Sequence, residues 1–511
     1  MLKTFFTPFE NFITKEPERT IWFLSKVPPA LLEKLAQKKL LLGFRYVAKY
    51  VPAYKDFLKK HNINPKSIKT INDFQKLPIT SKENYVLKYE MTSRIIDRRI
   101  NEIFSIERSS GYSGIPIYWP RLPEEDETTK RHFEFGLVYH ACLKKYKTLF
   151  IVCFAMGTWP SGEKVSRLMR EIARKRKYVF SVINPGPNIP ETLEIIEKMG
   201  KYYQHIIVAG YPPFLKNLIE EGVARKFDFS KYKITLVGGG EDNTENWRDY
   251  LAKILNVKIE EPGIPKIYSN YGAVDVGLGT ALESPLSVII RRLAWKNQKL
   301  ALHLFGKEHI PMLFQYNPLL HYVEEENGEI LFTCYNSTPV IRYRIKDRGG
   351  AIPFQKMISS LKKFGIDIFD ILKSKGFNPK RVLHLPFFYV YGRSDGTIIF
   401  RGANIYIENF QAALSNPKIM NYHTGRFEVE KITNQNGDPD LLIKIELKPQ
   451  IAPDNNLKQL FRETVFESLK KHNSEFKDAL SHIDYNVGKV AFKKFQPQKE
   501  IKNRYIKKDV I

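Results

Sequence analysis

A chain of 511 residues with 43% hydrophobic and 13% aromatic content has material for more than one core, which excludes a disordered protein and a single small domain. Three cysteines, Cys142, Cys153 and Cys334, lie too far apart for paired metal ligation or a disulfide framework, so a soluble protein of the reducing cytoplasm is expected. The net charge of +26, from 81 Lys+Arg against 55 Asp+Glu, invites nucleic acid or an anionic membrane surface, but acidic residues are interleaved throughout and no nucleic-acid-binding signature accompanies the bases.

No apolar run approaches the ~20 residues that a membrane-spanning helix needs, and the N-terminal MLKTFFTPFENFITKEPER lacks the continuous apolar centre of a signal peptide. The first 90 residues read as helical: LLEKLAQKKLLLGFRYVAKYV has apolar residues at helical spacing, and PAYKDFLKKHNI starts a second helix on a proline. The stretch from Glu107 to Pro120, ERSSGYSGIPIYWP, is rich in small and hydroxyl residues. Ser109, Ser110, Gly111, Ser113 and Gly114 leave little side chain between backbone and a ligand, so the loop reads either as a plain turn before a strand or as an anion cradle. No Gly-Lys-Ser/Thr follows, which excludes a Walker loop.

From Arg131 onward, short apolar runs alternate with amphipathic helices: TLFIVCFAM, VSRLMREIARKRK, YVFSVI, ETLEIIEKMGKYY, QHIIVAG, FLKNLIEEGVARK, KITLVGG and NWRDYLAKIL. That alternation predicts an α/β fold around a mainly parallel sheet. GTWPSGEK (157–164) reads as a helix start, and the lone His205 as structural. Gly239, Gly240 and Glu241 end a strand and serve either as a turn or as part of a ligand pocket. Strands follow from Ile330, a basic helical stretch (Met357 to Lys375) reads as an insertion or lid, and the residues after Gly392 form a separate small α+β unit. The expected division is 1–391 for a large domain and 392–511 for a small C-terminal one.

Several segments recur in a telling order: FRYVAKYVPAYKDFLKK, LPITSKENY, the Ser/Gly loop, VAGYPPFLKNL, VGGGE, YGAVD, IRYRIKDRG and GRSDGTIIFRGANIYIENF. Together they resemble the adenylate-forming superfamily, and within it the phenylacetate–CoA ligase-like branch, from about residue 40 to the end. The resemblance implies a large adenylation domain with a mobile lid. It also implies a two-step reaction in which a carboxylic acid attacks the α-phosphorus of ATP and a thiol, usually coenzyme A, then displaces AMP. By the same resemblance, the Ser/Gly loop holds the β- and γ-phosphates, Gly240, Glu241 and Gly272 line the nucleotide and acyl site, and Tyr271 faces the adenine. Asp275 orients Mg2+, Asp347 accepts from the ribose hydroxyls, and Arg393 supports ribose and phosphate. Asp395 is the hinge. The catalytic lysine falls among Lys499, Lys502, Lys507 and Lys508, and EIKNRY favours Lys502.

Three departures stand out: Ile115 replaces a lysine in the phosphate loop, Asp275 replaces glutamate, and Ile501 replaces a glycine. The resemblance also admits relatives that pass the adenylate to an acceptor other than coenzyme A. A non-catalytic relative binding an anionic surface is the alternative outside enzymology.

Overall fold

The computed structural model describes residues 12–108, 117–156, 160–240, 243–307, 310–393, 398–400, 403–405, 407–433, 439–473, 476–477, 480 and 486–496. Helices α1 (Pro17–Lys26), α2 (Pro29–Tyr50) and α3 (Pro52–Lys60) each open on a proline. Its missing N–H costs nothing in a first turn, and its fixed φ favours one. A hairpin of β1 (Ser105–Arg108) and β2 (Tyr118–Arg121) leads into α4 (Pro123–His140). The expected alternation then follows: β3 (Thr148–Val152), α5 (Pro160–Arg174), β4 (Phe180–Ile183), α6 (Ile189–Met199), β5 (His205–Gly210), α7 (Pro212–Ala224), β6 (Ile234–Gly239) and α8 (Glu245–Ile254).

Strand β7 (Ile267–Ala273) runs parallel to β6, and β8 (Gly277–Leu282) turns straight back beside it. Beyond them come α9 (Pro285–Lys296), α10 (Gln298–Phe305), β9 (Met312–Tyr316), β10 (His321–Glu326), β11 (Glu329–Cys334) and β12 (Val340–Ile352). Then α11 (Phe354–Lys363), α12 (Ile368–Ser374) and β13 (Phe387–Arg393) complete this part. The last stretch holds β14 (Ile398–Phe400), β15 (Ala403–Ile405), α13 (Ile407–Leu414), β16 (His423–Thr433), β17 (Pro439–Leu447), α14 (Asn455–His472) and β18 (Lys489–Lys493).

Among the described residues, one sheet of twelve strands runs β10-β11-β12-β13-β9-β8-β7-β6-β5-β3-β4, with the two-residue strand Thr80–Ser81 beside β12. Strands β4, β3, β5, β6 and β7 are parallel, and from β8 onward the pairing is antiparallel. The central parallel strands β3, β5 and β6 are buried along nearly their whole length, as sheets covered on both faces require. One apolar cluster fills the parallel half, and a second joins the antiparallel half to α2 and α3. A further cluster draws only on residues between Ile398 and Val490, which have their own sheet β16-β17-β18. No helix among the described residues is long and apolar enough to cross a membrane.

The basic stretch 357–375 departs from expectation. It is two helices broken at Gly365 (φ +70°), and Met357, Leu361, Ile368 and Leu372 bury themselves against α9, α10 and Phe387. Amphipathic helices of this kind are fixed by their apolar face, so the segment is a packed part of the fold and not a free lid.

The pairing of β12 with β13 sets Asp347 opposite Arg393 and is bulged between Arg348 and Gly349. A Cβ on Gly349 (φ +157°) would lie 1.8 Å from the Tyr389 carbonyl oxygen, so only glycine permits this approach. Gly349→Ala is expected to destabilise the protein by about 2 kcal/mol or more, read as a lowered denaturation midpoint. Gly365→Ala, where a Cβ would meet nothing within 4 Å, is expected to lose less.

Candidate functional site

The reversal from β7 to β8 lies at the junction of the two halves of the sheet. Its register slips between Tyr271 and Ala273, and a Cβ on Gly272 would come 2.8 Å from the Gly279 nitrogen. Half-buried Tyr271 stacks on Phe332 (centroids 5.9 Å apart, planes at 16°) and meets the edge of Phe388 at 4.9 Å. Its hydroxyl donates to Asp347 Oδ2 at 2.5 Å. Residues 76 apart in the chain, both singled out in the sequence, thus share a hydrogen bond. Arg393 joins them by backbone register, and its side chain lies outside the described residues.

Asp275 accepts a hydrogen bond from Tyr343 at 2.6 Å, and Tyr343 meets Trp119 edge to face. Arg94 lies over the other side of this group, 5.7 Å from the Trp119 ring, and its Nε donates to the Tyr89 carbonyl. Burial pulls the Arg94 pKa down, opposed by Tyr85, Tyr343 and Asp275, and its buried Nη1 has no protein partner. No cluster of three or more His, Cys, Asp or Glu fit to hold a metal occurs among the described residues. A single carboxylate at Asp275 suits Mg2+ that arrives with phosphate oxygens and keeps waters, rather than an all-protein cage.

The glycine run at the end of β6 brings backbone against two aromatic rings. Gly240 has φ +83°, and a Cβ there would strike Tyr211 at 2.6 Å; one on Gly239 would meet Phe154 at 3.4 Å. Phe154 and Tyr211 pack edge to face at 5.5 Å. The positive φ of Gly240 where β6 ends fits the turn reading of the run. His205 is fully buried and pairs with Thr235 at 2.7 Å; burial pushes its pKa down to about 3, as suits a structural histidine.

An ion cluster that was not among the expected site residues packs against the β1–β2 hairpin. Arg121, fully buried, donates to Glu107 at 2.8 Å, pairs with Glu125 at 2.9 Å and donates to the Val274 carbonyl. Lys164, equally buried, donates to Glu107 at 2.8 Å and pairs with Asp126 at 3.1 Å, and Glu125 accepts from both the amide and the hydroxyl of Ser337. One signal was present: Lys164 stands at i, i+4, i+8 spacing with the core residues Leu168 and Ile172, an apolar position for a lysine. A second buried group, Glu245, Arg248, Glu283 and Arg291, lies behind the turn that follows β6.

The C-terminal residues contact α7 through Lys216, whose Nζ donates to the carbonyls of Met420 and His423 and to Glu220. Burial, opposed by Glu220, brings its pKa down to about 8. Lys448 pairs with the same Glu220 at 2.8 Å.

Ser109, Ser110, Gly111, Ser113, Gly114, Ile115, Glu241, Asp395, Lys499, Lys502, Lys507 and Lys508 lie outside the described residues. The hairpin that carries the Ser/Gly loop is described on both sides, from Glu107 to Arg108 and from Ile117 to Arg121.

Among solved structures, the chain is similar to 2-hydroxyisobutyryl-CoA ligase in its postadenylation state with R3-HIB-AMP, at a TM-score of 0.64 and 14% identity over 93% of this chain and 90% of that one. The chain has the adenylate-forming fold. The AtGH3.15 acyl acid amido synthetase in complex with 2,4-DB shares it at a TM-score of 0.54 and 15% identity, over 92% and 90% of the two chains. The 2-hydroxyisobutyryl-CoA ligase in its thioesterification state gives 0.51. No family model and no curated protein matches the sequence. Within the adenylate-forming fold, then, the likeness is one of architecture, and the assignment of single residues rests on the geometry of this chain.

Replacing Lys164 by methionine leaves Glu107 and Asp126 buried without their shared cation. Lys164→Met is expected to cost about 3 kcal/mol or more, read as a lower urea midpoint at unchanged m. Burial raises the Glu125 pKa, but Arg121 and Lys164 outweigh it and hold the carboxyl below its ordinary 4.5. Its contribution is therefore present above pH 4.5 and lost as pH falls through the lowered value. The gap between wild type and Lys164→Met is expected to narrow on acidification.

Proposed function

We propose that the protein is an AMP-forming ligase that activates a carboxylic acid as its acyl-adenylate and then transfers the acyl group to the thiol of coenzyme A. The observation that carries this reading is the Tyr271–Asp347 hydrogen bond, in register with Arg393. An aromatic face, an acceptor-only carboxylate and a guanidinium are what adenine, a ribose diol and a phosphate require. The resemblance of the motifs to the phenylacetate–CoA ligase-like branch and the adenylate-forming fold support it from two further sides.

In this reading Tyr271 gives up its bond to Asp347 when nucleotide enters. Its ring then covers the adenine and Asp347 turns to the ribose hydroxyls. The amides and hydroxyls of Ser109, Ser110, Gly111, Ser113 and Gly114 hold the departing pyrophosphate, since phosphoryl chemistry depends on positioning and charge neutralisation. Mg2+ held through Asp275 would neutralise phosphate charge. Arg94, whose charge Asp275 favours, adds a cation beside that carboxylate. Phe154 and Tyr211 beside Gly239 and Gly240 wall the space for the acid. Residues 392–511 act as a domain that turns about Asp395, bringing Lys502 to the carboxylate for adenylation and withdrawing it for thiolysis. Such a turn must break the Lys216 contacts with Met420 and His423.

A second acceptor, an amine, is favoured by the likeness to an acyl acid amido synthetase. Carboxylate-dependent ATP–pyrophosphate exchange over a panel of aryl and aliphatic acids, with coenzyme A or amines added, tests both readings. Exchange with at least one acid is expected; none with any acid contradicts adenylation. Ile115→Lys is expected to raise exchange, and Lys502→Ala to depress adenylation far more than thiolysis of a preformed adenylate. Equal losses in both steps contradict the role of Lys502.

A further inference from the structure

Helix α2 is apolar on two opposite sides. Its inner face, Leu32, Ala36, Leu40, Phe44 and Val47, is buried. At about 100° per residue, Leu31, Leu35 and Leu42 fall on the opposite side of the helix, and they are 47%, 37% and 50% exposed. A surface helix ordinarily turns polar residues outward, so three solvent-facing leucines in line call for a partner.

Charge names the partner. Lys34, Lys38, Arg45 and Lys49 are exposed and fall along the edge of the same stripe, within about 100° of arc. The one acid of the helix, Glu33, points elsewhere and bonds Gln37. None of the four cations has a carboxylate within salt-bridge distance among the described residues. Leucines beside a row of bases that have no carboxylate partner have the chemistry of an interfacial helix lying on an anionic lipid surface. A nucleic-acid backbone would satisfy the bases and leave the leucines in water; a second copy of this chain would bring like charges together.

We propose that the outward face of α2 docks the protein on an anionic bilayer surface, the leucines entering the headgroup boundary and the bases meeting lipid phosphates. The inner face stays in the core throughout, so docking needs no unfolding. The proposal does not depend on the adenylating reading and fails or stands separately from it.

The test is co-sedimentation of the full chain with phosphatidylcholine vesicles, with and without phosphatidylglycerol, at low and high salt. Binding is expected only to the anionic vesicles and is expected to weaken with salt. Each basic residue near such a surface contributes roughly fivefold to partitioning, so Lys34→Glu/Lys38→Glu is expected to lower it by more than tenfold. Leu31→Ser/Leu35→Ser/Leu42→Ser is expected to lower it comparably, with the folded circular dichroism spectrum kept. Lys362→Glu/Lys363→Glu, on the exposed side of α11 and with the same net charge, is expected to bind as wild type. Failure of the wild type to sediment with anionic vesicles overturns the proposal. So does an equal loss in the α11 control, which would mean diffuse charge attraction, and so does a concentration-dependent dimer abolished by the leucine variant.

Discussion

One buried guanidinium holds together the three chain segments on which the candidate nucleotide contacts depend. Arg121 reaches Glu107 at the root of the Ser/Gly loop, Glu125 at the start of α4, and the Val274 carbonyl in the turn that carries Tyr271 and Asp275. Removing such a group from water costs several kcal/mol per ion, recovered only when its partners are fixed in place. The cluster is therefore better understood as a positional lock than as a source of stability. Lys164 extends it into α5, so loop, turn and two helices share a single electrostatic frame.

That frame meets a second constraint from the sheet. The parallel strands end at β7, and the immediate return of β8 exposes the end of β7 as a turn instead of burying it in another crossover. The bulged β12–β13 pair then carries Asp347 to the same place from the antiparallel half, where Tyr271 bonds it. Neither half of the sheet holds the full set of groups. Tyr271 and Asp347 meet because the two halves are one sheet, and glycines at 240, 272 and 349 stand where a Cβ would clash with the neighbouring ring or backbone.

Much of this was legible in the sequence for identifiable reasons. Strands buried on both faces read as short apolar runs, and the helices between them read as amphipathic, so the order from β3 to α8 follows from local pattern alone. Tyr271, Asp275 and Asp347 were singled out through the motifs YGAVD and IRYRIKDRG that carry the family resemblance, and the fold brings Tyr271 and Asp347 into one hydrogen bond. The ion cluster was not, since Arg121 and Val274 are 153 residues apart and no local pattern links them. The stretch 357–375 was read correctly as helical, but basic, amphipathic helices look alike whether they pack or stand free; that it packs is decided by Leu313, Phe387 and the α9–α10 pair, which only the fold brings together. The outward leucines of α2 were likewise hidden within a helical pattern that already accounted for its core face.

The account turns on whether the Tyr271–Asp347 pair recognises a nucleotide, and calorimetric titration of AMP measures that without any knowledge of the acid. Wild type is expected to bind AMP. Asp347→Asn, with one acceptor oxygen and the charge removed, is expected to bind about ten- to a hundredfold more weakly at an unchanged melting temperature. Absence of AMP binding by the wild type, or equal affinity in Asp347→Asn, would contradict the account.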